Sequence, residues 1–126
     1  MKQFLLLAFT VLLCFNGISQ KGRVFEKVKE LKMAYMTREL NLTSEEAQKF
    51  WPVYYNYFNE LKQAKFNAKA DVLMLEENTL NVKKKYKGEF KMLLNSDERA
   101  NKVFLTDKNF NALIRKEIQN RERPRP

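Results

Sequence analysis

The feature that most limits how this chain can fold is its shortage of helix-breaking residues. Between residues 21 and 123 the only glycines are Gly22 and Gly88, and the only proline is Pro52. So few breakers over such a length indicate long helices joined by short turns. No stretch alternates apolar and polar side chains with the two-residue period of a β-strand. We therefore predict an all-α protein without a sheet.

The first two predicted helices follow from apolar side chains that recur every three or four residues. The first runs from about residue 22 to 40. The second is long, beginning at Thr43 and continuing to about Leu75. Pro52 lies inside it and is expected to kink the helix near residues 48–51, because proline has no backbone N–H and clashes with the preceding turn.

Two more helices are predicted in the second half of the chain. The periodicity fades around residues 76–81, which indicates a turn, and a weakly amphipathic third helix follows over about residues 82–93. A fourth helix runs from about residue 95 to 120. The helical domain is thus predicted to span residues 20–120, and residues 121–126 to form a disordered basic tail.

The strongest local signal is the segment LTSEEAQKFWPVY, which covers residues 42–54. Thr43 is a favourable N-cap, and Glu46 stands three residues later, where its carboxylate can accept a hydrogen bond from the backbone of Thr43 in a capping box. Leu42 precedes the cap, in the position of a hydrophobic staple. This segment therefore predicts the start of the second helix.

A second segment, LNSDER, repeats the same layout further along the chain. Leu94 corresponds to Leu42, Asn95 is predicted to cap the fourth helix, and Glu98 is predicted to close a second capping box. The two segments look like an internal repeat, although the physics of capping alone can produce such a likeness.

The N-terminus has the three-part layout of a secretory signal peptide. Lys2 provides a positive charge, residues 4–15 form an apolar run, and small residues allow cleavage after Ser19, with Gln20 as the alternative. As a helix the apolar run would cover about 18 Å, less than the roughly 30 Å core of a bilayer. Residues 1–19 are therefore predicted to be removed on export, and the mature chain to be periplasmic.

The mature chain would then lack the side chains of most catalytic sites. The sequence contains no histidine, and its single cysteine, Cys14, lies within the predicted leader. This excludes the usual nucleophile–base pairs, most zinc ligand sets and redox couples. No glycine-rich loop is present to bind phosphate. We expect neither an enzyme nor a cofactor or metal site.

The net charge limits the kinds of molecule that the chain is expected to bind. The chain has 24 basic and 15 acidic residues, a formal net charge of +9. Such an excess favours nucleic acid, anionic membranes or acidic polypeptides, and export removes nucleic acid from this set. We expect binding to proteins, with membrane contact only through an uncleaved leader or weak electrostatic attraction. A lysine-rich helical surface without a charged partner is the alternative.

These features together resemble the Spy/CpxP-like group of periplasmic proteins. The resemblance covers about residues 24–120 and rests mainly on residues 42–54, which match the group's LTxxQ motif except that Glu46 replaces the glutamine. The longer form of the motif is similar to the branch often labelled "sensor of ECF-type sigma factor". The resemblance implies an elongated, kinked helical hairpin that forms an antiparallel dimer. It also implies a protein that holds unfolded chains without ATP or reports envelope stress to a regulator.

The aromatic cluster of the second helix is the candidate partner surface. An apolar stripe facing a core needs only about 100° of a helix's circumference, and these side chains extend beyond it. Two interpretations stay open: the cluster is core alone, or core together with a surface that binds a partner. The candidate residues are Phe50, Trp51, Tyr54, Tyr55, Tyr57, Phe58 and Phe66, with the neighbouring Lys62, Lys65 and Lys69.

The expected function is therefore periplasmic protein binding. We expect an ATP-independent, chaperone-like protein that holds unfolded or partner envelope proteins through an apolar helical surface bordered by basic residues. The alternative is an accessory of the envelope stress response that acts on a membrane sensor or on an ECF sigma and anti-sigma system.

Overall fold

The computed structural model of the chain describes residues 16–124. Four helices account for nearly all of this range, and the described residues form no β-strand. They are α1 (Asn16–Glu39), α2 (Ser44–Ala68), α3 (Val72–Leu94) and α4 (Asp97–Glu122). The prediction of an all-α fold with four helices is confirmed. Residues 1–15, most of the predicted leader, lie outside the described residues, as do residues 125–126.

The chain divides into two compact units, one ending at Tyr35 and the other beginning at Met36. The part of α1 in the first unit exposes several of its apolar side chains: Val24 is 64% exposed and Phe25 63%. No helix in the described part of the chain combines the length and the apolar character that crossing a membrane requires.

In the second unit, α2 and α3 pack against each other in antiparallel orientation. The Phe50 ring lies 5.4 Å from the Phe90 ring, and further along α2 the Tyr57 ring lies 5.4 Å from the Tyr86 ring. Near the connecting turn, the Asn78 amide donates to the carbonyl of Ala64 at 3.4 Å. As the residue numbers rise along α2, the numbers of the contacting residues on α3 fall. This is the pattern of an antiparallel pair.

The break between the second and third helices was predicted in the wrong place. The chain turns at residues 69–71 and not at residues 76–81, so α2 is shorter and α3 longer than expected. Lys69 adopts a left-handed φ of 54°, which ends α2. Asp71 then caps α3, because its carboxylate accepts a hydrogen bond from the amide of Met74 at 3.0 Å. The apolar spacing runs on through Val72 and Leu75, so periodicity alone did not reveal this cap.

Helix α4 runs parallel to α2 and completes the core. Glu46 on α2 contacts Arg99, and Tyr54 contacts Asp107, so partner numbers rise together on the two helices. The Phe104 ring lies 5.7 Å from that of Tyr57 and 5.9 Å from that of Phe90, which brings all three helices to one aromatic cluster. Helix α4 also includes Arg121 and Glu122, so it continues past the expected end at residue 120.

The core of this unit is rich in aromatic rings. Full burial of one large apolar side chain contributes about 1.5–3 kcal/mol, so each buried ring of this cluster stabilises the unit substantially. The buried side chains are Met36, Leu40, Phe50, Tyr54, Tyr57, Ala68, Tyr86, Phe90, Leu94, Ala100, Val103, Thr106 and Phe110.

Helix α2 continues through Pro52, although the missing proline N–H leaves the carbonyl four residues earlier without its usual helical partner.

Candidate protein-binding site

The segment LTSEE forms the capping box predicted for it. The Thr43 hydroxyl accepts a hydrogen bond from the Glu46 amide at 3.1 Å, and the Glu46 carboxylate accepts one from the Thr43 amide at 3.2 Å. Leu42 is half-buried immediately before the cap. Because two backbone donors at the helix start are satisfied reciprocally, this segment sets where α2 begins.

Glu46 has a second partner that the sequence did not reveal. The Arg99 guanidinium on α4 donates to both carboxylate oxygens of Glu46 and, at 3.0 Å, to the carbonyl of Leu40. The hydrogen bond from Arg99 is the main reason why the pKa of Glu46 lies below its ordinary value. The side chains of Arg99 and Glu46 are 30% and 22% exposed, so this pair is partly shielded from water. The pair links the turn between α1 and α2 to the start of α4.

The second segment does not form the box predicted for it. Ser96 is the N-cap of α4, and its hydroxyl accepts a hydrogen bond from the Arg99 amide at 3.2 Å. Asn95 instead ends α3 in the left-handed conformation, with φ 55° and ψ 35°. The predictions of Asn95 as cap and Glu98 as box partner are therefore wrong, whereas Leu94 is buried in the core. Asparagine tolerates left-handed backbone better than most residues, which explains its place here.

Some residues of the predicted aromatic partner surface lie in the core, and others lie on the surface of the protein. Phe50 is 0% exposed, Tyr57 1% and Tyr54 2%, so these three side chains are not accessible to a partner and that part of the prediction is corrected. The Tyr54 hydroxyl donates to Asp107 at 2.6 Å. Burial, followed by the charge of Asp107, raises the pKa of both Tyr54 and Tyr57 above the ordinary range.

The remaining aromatic candidates are accessible to different degrees. Trp51 and Tyr55 are half-buried, and their rings pack against that of Tyr54 at 5.4 and 5.9 Å. Phe58 is 39% exposed and Phe66 is 78% exposed. Of the predicted aromatic residues, Phe66 therefore presents the largest accessible fraction.

The most exposed apolar residues in one short stretch lie at the turn between α2 and α3. Phe66 is 78% exposed, Leu73 76% and Val72 65%. Met74, 46% exposed, follows in the first turn of α3. We call these four side chains the corner patch. The predicted lysines Lys62, Lys65 and Lys69 are all exposed, and they precede or interrupt this stretch.

A groove of about 560 Å³ lies where α2, α3 and α4 face one another beyond the aromatic core. Its apolar lining consists of Tyr57, Leu61, Phe104, Leu105 and Ala112. Its basic lining consists of Lys65, Lys83, Lys108 and Arg115. Lys65 and Tyr57 on α2 are predicted partner-surface residues, but their place in a groove with α4 is not predictable from the sequence, because it requires the packing of distant segments.

The described residues offer no evident metal site: within residues 16–124, no three side chains from His, Cys, Asp and Glu are grouped so that they could hold an ion. The charged clusters that do occur are helix caps and ion pairs. One example is Glu60, which accepts hydrogen bonds from Lys85 and Tyr86, each at 2.8 Å. Burial, together with the hydrogen bond from Tyr86 to Glu60, raises the pKa of Tyr86 to about 12.

Comparison with known proteins adds no relative from which a function can be transferred. No family model, no curated protein and no solved structure matches this chain. The resemblance to the Spy/CpxP-like group therefore stays a prediction.

Proposed function

We propose that this protein binds other proteins without catalysing a reaction, and that it holds unfolded segments of envelope proteins through the corner patch. The observation that carries the proposal is the exposure of Phe66, Leu73 and Val72, each 65% or more, within eight residues of the chain that also follow or include three exposed lysines. Contiguous apolar residues on a surface, bordered by polar ones, are typical of sites that bind proteins.

The corner patch suits a chain that is unfolded and contains acidic residues. Burial of apolar surface supplies a non-directional attraction of about 25 cal/mol per Å², which does not demand one partner sequence. The net charge of +9 adds long-range attraction for acidic segments and raises the rate of encounter. The location in the envelope is also part of the proposal, and it rests on the leader pattern of residues 1–19.

The test is suppression of aggregation by residues 20–126. A client protein diluted out of guanidinium chloride aggregates, and light scattering follows the aggregation. We expect an equimolar amount of the protein to suppress the scattering, and added salt to slow capture because it screens the charges. No suppression at tenfold molar excess would contradict the proposal.

Substitutions locate the binding surface. Phe66→Ser combined with Leu73→Ser should weaken capture about tenfold or more, because loss of 1.4 kcal/mol of binding free energy is tenfold in affinity. The matched control is Met92→Ser with Leu105→Ser, since these residues are 85% and 56% exposed but lie far from the turn, Met92 at the opposite end of α3 and Leu105 near the level of Tyr54. Equal loss in both double variants would mean that the corner patch is not the site.

A second copy of the chain is the other candidate occupant of the corner patch, as expected for a dimer. Sedimentation velocity of residues 20–126 distinguishes the two. A dimer that the Phe66→Ser and Leu73→Ser variant converts to monomer would show that the patch joins two copies. A monomer that still captures clients would favour the proposal.

A further inference from the structure

The groove between α2, α3 and α4 has features that the corner patch does not use. The aromatic rings of Tyr57, Phe90 and Phe104 fill the space between these helices at one level. Beyond Phe104, toward the C-terminal half of α4, the same space is the groove. Apolar side chains of α4 therefore line a space that no segment of the described residues fills. One of these side chains is Leu105, which is 56% exposed.

The positive charges of the groove lie on both of its sides. Lys65 and Lys83 belong to α2 and α3, and Lys108 and Arg115 belong to α4. None of these four cations forms an ion pair within the described part of the chain. Asp107 is the acidic residue of the lining, and it already accepts the hydrogen bond from Tyr54. The groove thus combines an apolar lining with excess positive charge on two flanks.

The length of the groove along α4 matches a short helix. On α4 the lining extends from Phe104 to Arg115, which is about 16 Å or three helical turns at ~1.5 Å per residue. Lys108 and Arg115 are separated by about two turns and so lie on the same face of α4. An amphipathic helix laid in such a groove would place its apolar face against the lining and its flanking side chains near the cations.

We infer that the groove binds a helical segment of a partner protein whose apolar face is flanked by acidic residues on both sides. A lipid or fatty acid with one anionic head would neutralise the cations of one flank and leave those of the other unpaired. A second copy of this chain is disfavoured, because each copy carries the same net charge of +9. This inference goes beyond the proposed capture of unfolded chains, since it names a second surface and a folded, acidic ligand.

The first test is the titration of a labelled synthetic peptide into residues 20–126, followed by fluorescence anisotropy. The peptide carries leucines at helical positions i, i+3, i+4 and i+7, with glutamates on both flanks. We expect saturable binding that weakens as salt is added and a gain of helical circular dichroism. A scrambled peptide of the same composition and a peptide with lysine in place of glutamate should bind at least tenfold more weakly. Equal binding of all three peptides would overturn the inference, as would preferential binding to vesicles of anionic lipid.

The second test uses pairs of variants that differ only in whether the residue lines the groove. Leu105→Asp should weaken peptide binding at least tenfold, whereas Leu113→Asp should not, although the two residues are 56% and 53% exposed. Lys83→Glu with Arg115→Glu should abolish binding, whereas the same charge change at the exposed neighbours Lys84 and Lys116 should leave most of it. Equal losses within either pair would place the peptide elsewhere.

Aggregation suppression by the same variants separates this inference from the proposed function. Groove variants that lose the peptide should still capture unfolded clients, and the corner-patch variant should still bind the peptide. Unchanged thermal unfolding midpoints establish that the variants are folded. Peptide binding that disappears with Phe66→Ser and Leu73→Ser but survives Leu105→Asp would overturn the inference and assign both activities to the corner patch.

Discussion

Glu46 shows how one side chain can serve two structural purposes at the residue scale. Its carboxylate closes the capping box with Thr43 and also receives the guanidinium of Arg99 from a helix more than fifty residues away. A glutamine would keep the first interaction, because its side-chain oxygen also accepts a hydrogen bond. It would lose the charge that makes the second interaction strong. The acid at this position therefore has a tertiary role besides the local one.

The ion pair predicts a pH dependence of stability. Glu46 has a pKa below its ordinary value of 4.5 in the folded chain. Its contribution is therefore fully present above that ordinary value and is lost as the pH falls through the lower, folded pKa. At about pH 7, Glu46→Gln should lower the free energy of unfolding by about 1 kcal/mol, a modest figure because the pair is partly exposed.

Urea unfolding of both proteins between about pH 7 and pH 2 measures this difference. We expect the two free energies of unfolding to converge in acid, where the wild-type carboxyl is also neutral. Glu45→Gln is the control, because it removes the same charge from an exposed pair with Lys49. A difference that stays constant over this pH range would mean that the charge of Glu46 is not what Arg99 recognises.

The start of α4 gives a second prediction at this scale. Ser96→Ala should cost about 1 kcal/mol of stability, as should Thr43→Ala, because each removes the side chain that caps a helix. Asn95→Gly should be tolerated, since Asn95 has a φ of 55°, whereas Asn95→Ala should destabilise. Chemical denaturation of the four variants provides the measurement. If Ser96→Ala cost nothing while Asn95→Ala cost about 1 kcal/mol, then Asn95 would be the cap after all.

At the scale of elements, α2 has two ends with different roles. Its first four turns supply Phe50, Tyr54 and Tyr57 to the core, and its last turn exposes Phe66. The same helix therefore holds the unit together and presents the corner patch. The helix start was predicted from the sequence because the capping box is local, but its end was not. Apolar residues on both sides of the turn at residues 69–71 have the same spacing, so the pattern continues across the break.

This division predicts unequal effects of truncating two phenylalanines. Phe50→Ala should lower the free energy of unfolding by about 3–5 kcal/mol, because it opens a cavity beside Phe90 in the aromatic core. Phe66→Ala should change it by no more than about 0.5 kcal/mol, since that side chain is 78% exposed. Denaturant titration measures both. A large loss for Phe66→Ala would show that the corner patch is covered by the protein itself.

At the scale of the whole molecule, the unit that begins at Met36 has its own core. Every buried side chain among the described residues lies between Met36 and Phe110. A chain comprising residues 36–126 should therefore unfold in one cooperative transition with a loss of near-ultraviolet circular dichroism. A gradual loss of helical signal without a transition would contradict this expectation, and it would mean that these three helices do not fold alone.

The corner patch and the groove depend on different scales of organisation. The corner patch depends on one turn and its neighbours, and the predicted partner-surface residues Phe66, Lys62, Lys65 and Lys69 are all exposed there. The groove depends on three helices, and no local pattern in the sequence indicates it. Residues such as Lys83 and Arg115 are far apart along the chain and become neighbours only when α3 and α4 have packed.

The sequence by itself determined the helical content, the absence of histidine and of any cysteine beyond residue 14, and the capping box at Thr43. Each of these depends on composition or on residues within one helical turn, where hydrogen bonds join close neighbours in the chain. Only the tertiary structure decided which aromatic rings are buried, which side chain binds Glu46 and where the groove lies. Burial and ion pairing depend on residues brought together from distant segments, and the aromatic rings of α2 look alike until α3 and α4 cover one side of them.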